Sequence, residues 1–252
     1  MMSPDFYRLL VEDRFLRSRY RRADRRSGVD YTCGSAILMF HHIAPQKPEG
    51  VRDSCFSTID NFNSLLEILM KDKMIVSLEH LIEELRSGTV PHNKIVLTFD
   101  DVPDDFYTNA APILHGLQTP YTLYIATSLL DTPGFLSTEQ LKSIAANPLC
   151  TVGSHTVSHV KVREKGVDFI KELRESKKVL SGLLGREVNH FAFPYGTPFA
   201  VSPRQVRQIQ QSGLYQSGVS TIPGFLNKTS IKNRFFLPRI HSGLFTQEYI
   251  KQ

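Results

Sequence analysis

The sequence predicts an α/β domain built on a parallel sheet. Short apolar runs dense in β-branched and aromatic residues recur along the chain, among them AILMF from Ala36, KIVLTF from Lys94 and YTLYIA from Tyr121. Helix-period segments lie between them, and strands separated by helices pair in parallel because the crossover carries the chain back to the starting edge. From these residues alone the sheet either closes as a barrel or stays open and doubly wound. No repeat or linker divides the chain, so one domain is expected, preceded by an appended segment.

That segment, residues 4 to 26, reads as an amphipathic helix with Phe6, Leu9, Leu10 and Phe15 near one face, ending at Ser27-Gly28. The first core strand is AILMF, which Pro45 and Pro48 keep short. Two helices follow, Ser57 to Lys71 with Phe62, Leu65, Leu66 and Leu69 in phase, and Ser77 to Ser87 with Leu78, Leu81, Ile82 and Leu85, capped by Gly88. The strand KIVLTF ends abruptly in Asp100-Asp101. A helix near Tyr107 to Leu117, the strand YTLYIA, a helix near Ser137 to Ala146 and the strand LCTVGS come next. The alternation ends with a helix near Val167 to Leu184, the strand HFAFPY, a helix near Ser202 to Ser212 and short strands near Gln216 and Phe236.

Composition narrows the function. At 41% hydrophobic and 22% charged, the 252 residues are those of a protein with an ordinary core. The net charge of +5 carries no basic block interleaved with aromatics, so nucleic acid is not the expected partner. Positive charge is densest at Arg17, Arg19, Arg21, Arg22, Arg25 and Arg26, either a solvated helix face or a patch for an anionic membrane or lipid-linked substrate. Cys33, Cys55 and Cys150 are odd in number and far apart, which suggests reduced thiols rather than a disulfide framework or a thiolate metal site. With no apolar leader or membrane-length run, the chain is expected in the cytoplasm or at the inner face of the membrane.

In parallel α/β folds chemistry gathers at the carboxyl ends of strands. Asp100-Asp101, His155 and Pro194-Tyr195 all fall there. His155 and His159, four apart, would lie on one side of a helical turn. Alone, such a pair more often reflects packing or chance, and an Asp-Asp pair after a strand is often a turn and helix cap. Together they supply two neutral nitrogens and one carboxylate, with coordination positions left open, as a catalytic divalent ion needs.

These elements resemble the polysaccharide deacetylase family (carbohydrate esterase family 4, the NodB homology domain). Its pattern T-F-D-D-G, H-[ST]-x-x-H, P-Y-G is matched by Thr98-Phe99-Asp100-Asp101-Val102, His155-Thr156-Val157-Ser158-His159 and Pro194-Tyr195-Gly196. ILMFHHI and LPRI look like the subgroup that handles exopolysaccharides or envelope glycans. The resemblance implies a distorted (β/α) barrel of about seven parallel strands for residues 31–252, with 1–30 as a basic extension. It also implies removal of N-acetyl groups from an amino-sugar glycan. Asp101, His155 and His159 would hold a divalent metal, zinc by default with cobalt, nickel or iron as alternatives, and Asp100 would be general base for the attacking water. The backbone N–H of Tyr195 would face the oxyanion, with Pro194 beside it at the substrate. His241, after the last expected strand, is the candidate general acid, and His41 is a candidate substrate contact, since only one of His41 and His42 can point inward.

The match has gaps. Val102 replaces the glycine after the Asp pair, so the turn there is expected to suit a β-branched residue. Ala192 replaces an arginine that many relatives carry to orient the base, and Arg239 is the expected substitute. The aspartate-tryptophan element is absent, the chain having no Trp. His80, His92, His115 and His190 are expected on helices or loops with structural roles. The rival readings are a noncatalytic glycan-binding barrel, an iron oxygenase using the same triad, and an assembly protein docked through the basic extension.

Overall fold

The computed structural model describes residues 34–72 and 74–242. The extension at residues 1–30, and Cys33, lie outside them. In chain order the elements are β1 (Ala36–Phe40), β2 (His42–Ile43), β3 (Phe56–Ser57), α1 (Ile59–Asp72), β4 (Met74–Ile75), α2 (Leu78–Arg86), β5 (Lys94–Asp100) and α3 (Ala111–Gly116), the last preceded by a π-helical turn, Phe106–Ala110. They continue with β6 (Tyr121–Ile125), α4 (Thr138–Ala145), β7 (Cys150–Ser154), α5 (Phe169–Leu184), β8 (His190–Ala192), α6 (Pro203–Ser212), β9 (Ser217–Val219), α7 (Lys228–Lys232) and β10 (Ile240–His241).

Seven parallel strands run in the order β10-β1-β5-β6-β7-β8-β9, with β4 added on β5 and β2-β3 forming a separate pair. The segment from Leu237 to His241 bridges the two ends, since Leu237 pairs with Val219 and Ile240 with Leu38. The sheet therefore curls toward closure as a distorted (β/α) barrel. In place of a strand near Phe236 there is a turn, with the Phe236 N–H donating to Asn233 at 2.9 Å, and the strand starts at Ile240. Pro238, which lacks an N–H, interrupts the ladder between the Leu237 bridge and β10. His190 lies in β8 rather than on a helix or loop; it is buried, with Nδ1 2.8 Å from the Ser217 hydroxyl.

Side-chain alternation sorts the core into two layers. Leu38, Phe40, Leu97, Phe99, Leu123, Phe191 and Phe193 face outward beneath the helices, in one cluster with Phe62, Leu65 and Leu173. Ile37, Val96, Tyr124, Ala192, Val219 and Leu237 face inward and pack on Leu78, Leu81, Ile82 and Leu85 of α2. Helix α2 starts cleanly because the Ser77 hydroxyl accepts from the His80 N–H. Glu79 on α2 takes the Thr151 hydroxyl, Glu84 pairs with Lys94, and Arg86 reaches Gln216, each partner at the beginning of a strand or just before it. The helix thus plugs the amino-terminal end of the barrel and leaves the carboxyl-terminal end for the site.

Candidate metal centre and active site

Continuing the inward parity to the carboxyl ends gives Asp100 after Val96 and Thr98, His155 after Thr151 and Gly153, and Arg239 and His241 after Leu237. The barrel interior thereby collects a carboxylate, a guanidinium and two imidazoles. Asp100 and Arg239 form a fully buried fork-to-fork pair, with Nη1 to Oδ1 at 2.6 Å and Nη2 to Oδ2 at 2.5 Å. Arg239 also donates to the Ser220 carbonyl at 2.8 Å and the Thr98 hydroxyl at 3.1 Å, so its fork cannot rotate. Burial alone would push the Asp100 carboxyl up; Arg239, His155 and His41 outweigh it and hold the group well below the usual carboxylate range. Position 192 itself holds a buried alanine whose carbonyl serves His155.

Asp101, His155 and His159 come together, with one ligand atom from each lying within 4.8 Å of the others. Asp101 Oδ1 is 3.1 Å from His159 Nε2 and 3.7 Å from His155 Nε2, and is buried without a hydrogen-bond partner. His155 Nδ1 lies 2.8 Å from the Ala192 carbonyl, which can only accept, so the ring proton sits on Nδ1 and the Nε2 lone pair faces the carboxylate. Burial lowers the His155 pKa and favours the neutral ring. A buried carboxylate oxygen and an imidazole lone pair turned toward one another are both acceptors, and a cation is what satisfies both. These residues fit a divalent ion.

The two histidines do not share a helical turn. His155 follows β7 directly, Thr156 and His159 have φ of +68° and +51°, and the loop between them is non-helical. What holds it is Glu172 of α5, which accepts from the N–H groups of Val157 and Ser158 at 2.8 and 3.1 Å and from the Ser158 hydroxyl at 2.6 Å. No motif in the sequence marks Glu172. Val102 likewise departs from expectation: its φ is +52° and that of Asp101 +60°, with the Val102 N–H donating to the Asp100 carbonyl at 2.6 Å. This tight turn strains a β-branched residue. Val102 is fully buried in the outer core cluster, which is what holds it there.

Tyr195 is exposed, its ring 4.9 Å from that of His159 and under the Lys161 ammonium at 5.3 Å. Its carbonyl accepts from the Thr221 hydroxyl at 2.7 Å. Gly196, with φ +51°, leaves no room for a side chain, because a Cβ would stand 2.4 Å from the Thr221 nitrogen. Pro194 is buried behind this turn. His41 and His241 stack with ring centroids 6.2 Å apart, whereas His42 turns away to Asp105 at 2.7 Å. His241 Nδ1 is 3.1 Å from the Ser54 carbonyl; burial, then the positive neighbours His41 and Arg239, push its pKa down to about 3.

The curled sheet thus carries a buried carboxylate, Asp100, beside an Asp-His-His cluster that fits a divalent ion. The family profile for polysaccharide deacetylases matches residues 87–218, and the chain belongs to that family. It is 27% identical over 136 residues to a putative polysaccharide deacetylase, YxkH, of Bacillus subtilis, covering 53% of this chain and 47% of that one. It is 25% identical over 183 residues to the poly-β-1,6-N-acetyl-D-glucosamine N-deacetylase of Staphylococcus aureus, covering 67% and 61%. The chain thus spans about half to three-fifths of the length of these relatives. Among solved structures, the deacetylase PplD of Streptococcus pyogenes, in complex with acetate, superposes with a TM-score of 0.72 at 26% identity over 82% of this chain and 91% of that one. IcaB from Ammonifex degensii, at 20% identity and a TM-score of 0.69 over the same shares, shares the fold.

Proposed function

We propose that the protein is a metal-dependent N-deacetylase of an amino-sugar polysaccharide or glycan intermediate. The observation that carries this is the buried Asp101 oxygen and the His155 lone pair facing one another beside an Asp100 clamped by Arg239. Asp101, His155 and His159 would hold the ion, with zinc the default and cobalt, nickel or iron equally suited to the donors. When bound, a divalent ion supplies Lewis acidity that polarises the acetamide carbonyl and acidifies water.

The protein's own groups do the rest. Asp100, kept ionised by Arg239 and lying 4.0 Å from His155 Nε2, takes a proton from the attacking water as its oxygen bonds to the acetamide carbon. The Tyr195 N–H stabilises the oxyanion. The carbon–nitrogen bond then breaks and the sugar amine leaves with a proton from His241. Because Nδ1 of His241 donates to Ser54, Nε2 of the neutral ring carries the lone pair; it must be charged first, and the negative oxyanion favours that charge. His41 lines the substrate side, while the buried Pro194 backs the turn that carries Tyr195. The S. aureus relative, a poly-β-1,6-N-acetyl-D-glucosamine N-deacetylase, supports an N-acetylated exopolysaccharide or envelope glycan as substrate.

The catalytic unit is residues 31–252, and residues 1–30 are read as a membrane tether. Their deletion should leave acetate release unchanged and lower sedimentation with anionic vesicles. The central test is acetate release from N-acetylglucosamine oligomers, with chelation and zinc or cobalt restoration. Release lost on chelation, regained with metal and absent in Asp100→Asn is expected. A metal-loaded protein that binds oligomers without turnover would establish the noncatalytic glycan-binding reading instead.

A further inference from the structure

The β2-β3 pair brings a nucleophile to the mouth of the site that the mechanism does not use. Its register sets His42 opposite Phe56 and Ile43 opposite Ser57, so one step back Cys55 lies opposite His41. Cys55 is a free, half-buried thiol, and in this register its side chain stands on the same side of the pair as the His41 imidazole. Its neighbour Ser54 gives its carbonyl to His241, the ring stacked on His41. His41 Nδ1 is buried without a partner in the hydrogen-bond network. The thiol therefore shares an imidazole with the inner wall of the pocket.

The surroundings favour the thiolate. Burial pushes the Cys55 pKa up, but His41, Ser54 and Arg52 more than offset it, and the group is lowered. His41 is itself raised: burial lowers it, while Cys55, Asp100 and Asp101 together outweigh burial. Facing the pair from β10 are the cation Arg239 and neutral His241, and the nearby carboxylate of Asp53 is paired with Lys47. The other described thiol, Cys150, is the opposite case, fully buried and pushed up to about 12, mainly by burial.

We infer that Cys55 is a covalent modification site, a thiol activated by His41 toward low-molecular-weight disulfides, and that a mixed disulfide there obstructs the active-site pocket. The thiol gives its proton to His41 and the thiolate sulfur attacks one sulfur of the disulfide. One S–S bond forms as another breaks, and the departing thiolate takes up the proton, so Cys55 is oxidised as the small thiol is reduced. The thiol chemistry stands apart from the deacetylase reading; the obstruction rests on it.

The test uses the full chain carrying Cys33→Ser, titrated with 4,4′-dithiodipyridine from pH 4 to 9. An ordinary thiol is only about 1% ionised at pH 6.5. One fast-reacting thiol is expected, located by peptide mass at Cys55 and absent in Cys55→Ser, with a rate midpoint well below 8.5. His41→Gln should move that midpoint toward 8.5 and slow the reaction at pH 6.5 by about tenfold or more; Arg52→Gln, distant from the core, should shift it less. A midpoint near 8.5 that neither variant moves, or a Cys150 that reacts as fast, would overturn the assignment. Cysteamine conjugation should cut acetate release at least tenfold, reversibly by reductant, while Cys55→Ser keeps the unmodified rate and resists. Undiminished release from the conjugate overturns the obstruction. A parent protein releasing no acetate sinks the deacetylase reading and the obstruction built on it, while the titration still judges the thiol.

Discussion

Arg239→Met tests whether the guanidinium acts through Asp100. Arg239 is fully buried and Asp100 only 2% exposed, so removing the arginine strands a carboxylate in the core. Breaking a buried pair in this way costs about 3–5 kcal/mol. At about 2–4 °C per kcal/mol for a domain of this size, the melting temperature should fall by roughly 6–20 °C. Misplacing Asp100, the proposed base, should lower kcat/KM by about 10²–10⁴. Zinc uptake should match that of the unsubstituted protein, since Arg239 touches none of the three candidate ligands. The decisive comparison is the double variant. Adding Asp100→Asn to Arg239→Met removes the stranded charge, so the double variant should melt above Arg239→Met alone, with acetate release no lower than that of Asp100→Asn. Arg239→Lys, which keeps the charge but loses the fork, should fall between wild type and Met. Additive melting penalties, or zinc lost with the arginine, would refute the reasoning.

Three other sites give further outcomes. His241 is held neutral when folded, with a pKa near 3 against 6.5 unfolded, so its contribution to stability is complete above about 6.5 and is lost as pH falls toward 3; His241→Gln should flatten the melting-versus-pH curve in that window by up to about 1.4 kcal/mol per pH unit, and an unchanged curve would contradict the half-buried neutral ring. Glu172→Ala should free the loop carrying His159 and weaken zinc affinity about 10–100-fold by competition titration, with helix content retained. Gly153→Ala would set a Cβ 2.5 Å from the Tyr124 ring, which itself lies under Arg239, and should cost about 1–3 kcal/mol in thermal or denaturant melts.

The strands and helices are legible because their periods are local properties of the chain: KIVLTF and the Leu78-Leu81-Ile82-Leu85 stripe each recur in the structure as β5 and α2. The Asp-Asp and His-x-x-x-His elements are legible as strand-end residues. Their geometry is not, since four-residue spacing suits a helical turn and a loop equally, and what selects the loop is Glu172, distant in sequence and carrying no local signature. The arginine absent at 192 and present at 239 can be connected from sequence only as a guess, because the contact with Asp100 is 139 residues long. His190 and the Cys55-His41 pair are invisible for the same reason: their partners come from other strands.

Two different devices assemble the site, and they divide its residues by role. The groups for which a side-chain proton-handling or orienting role is proposed, Asp100, His241 and Arg239, with His155 among the ligands, occupy inward positions set by strand alternation, where neighbouring strands fix them and burial tunes them. Asp101, His159 and Tyr195 belong to turns and reach the site through left-handed backbone. Of the eight non-glycine residues with positive φ among those described, five are Asp101, Val102, Thr156, His159 and Tyr195. Such conformations cost of order 1–3 kcal/mol each and persist only where surrounding contacts enforce them. Here those contacts are the Val102 side chain in the outer core, Glu172 beneath the histidine loop and Thr221 against the Tyr195-Gly196 turn. The barrel therefore does more than present loops: its packing holds the turns that carry the candidate ligands in conformations they would abandon alone, so the fold itself brings Asp101, His155 and His159 together.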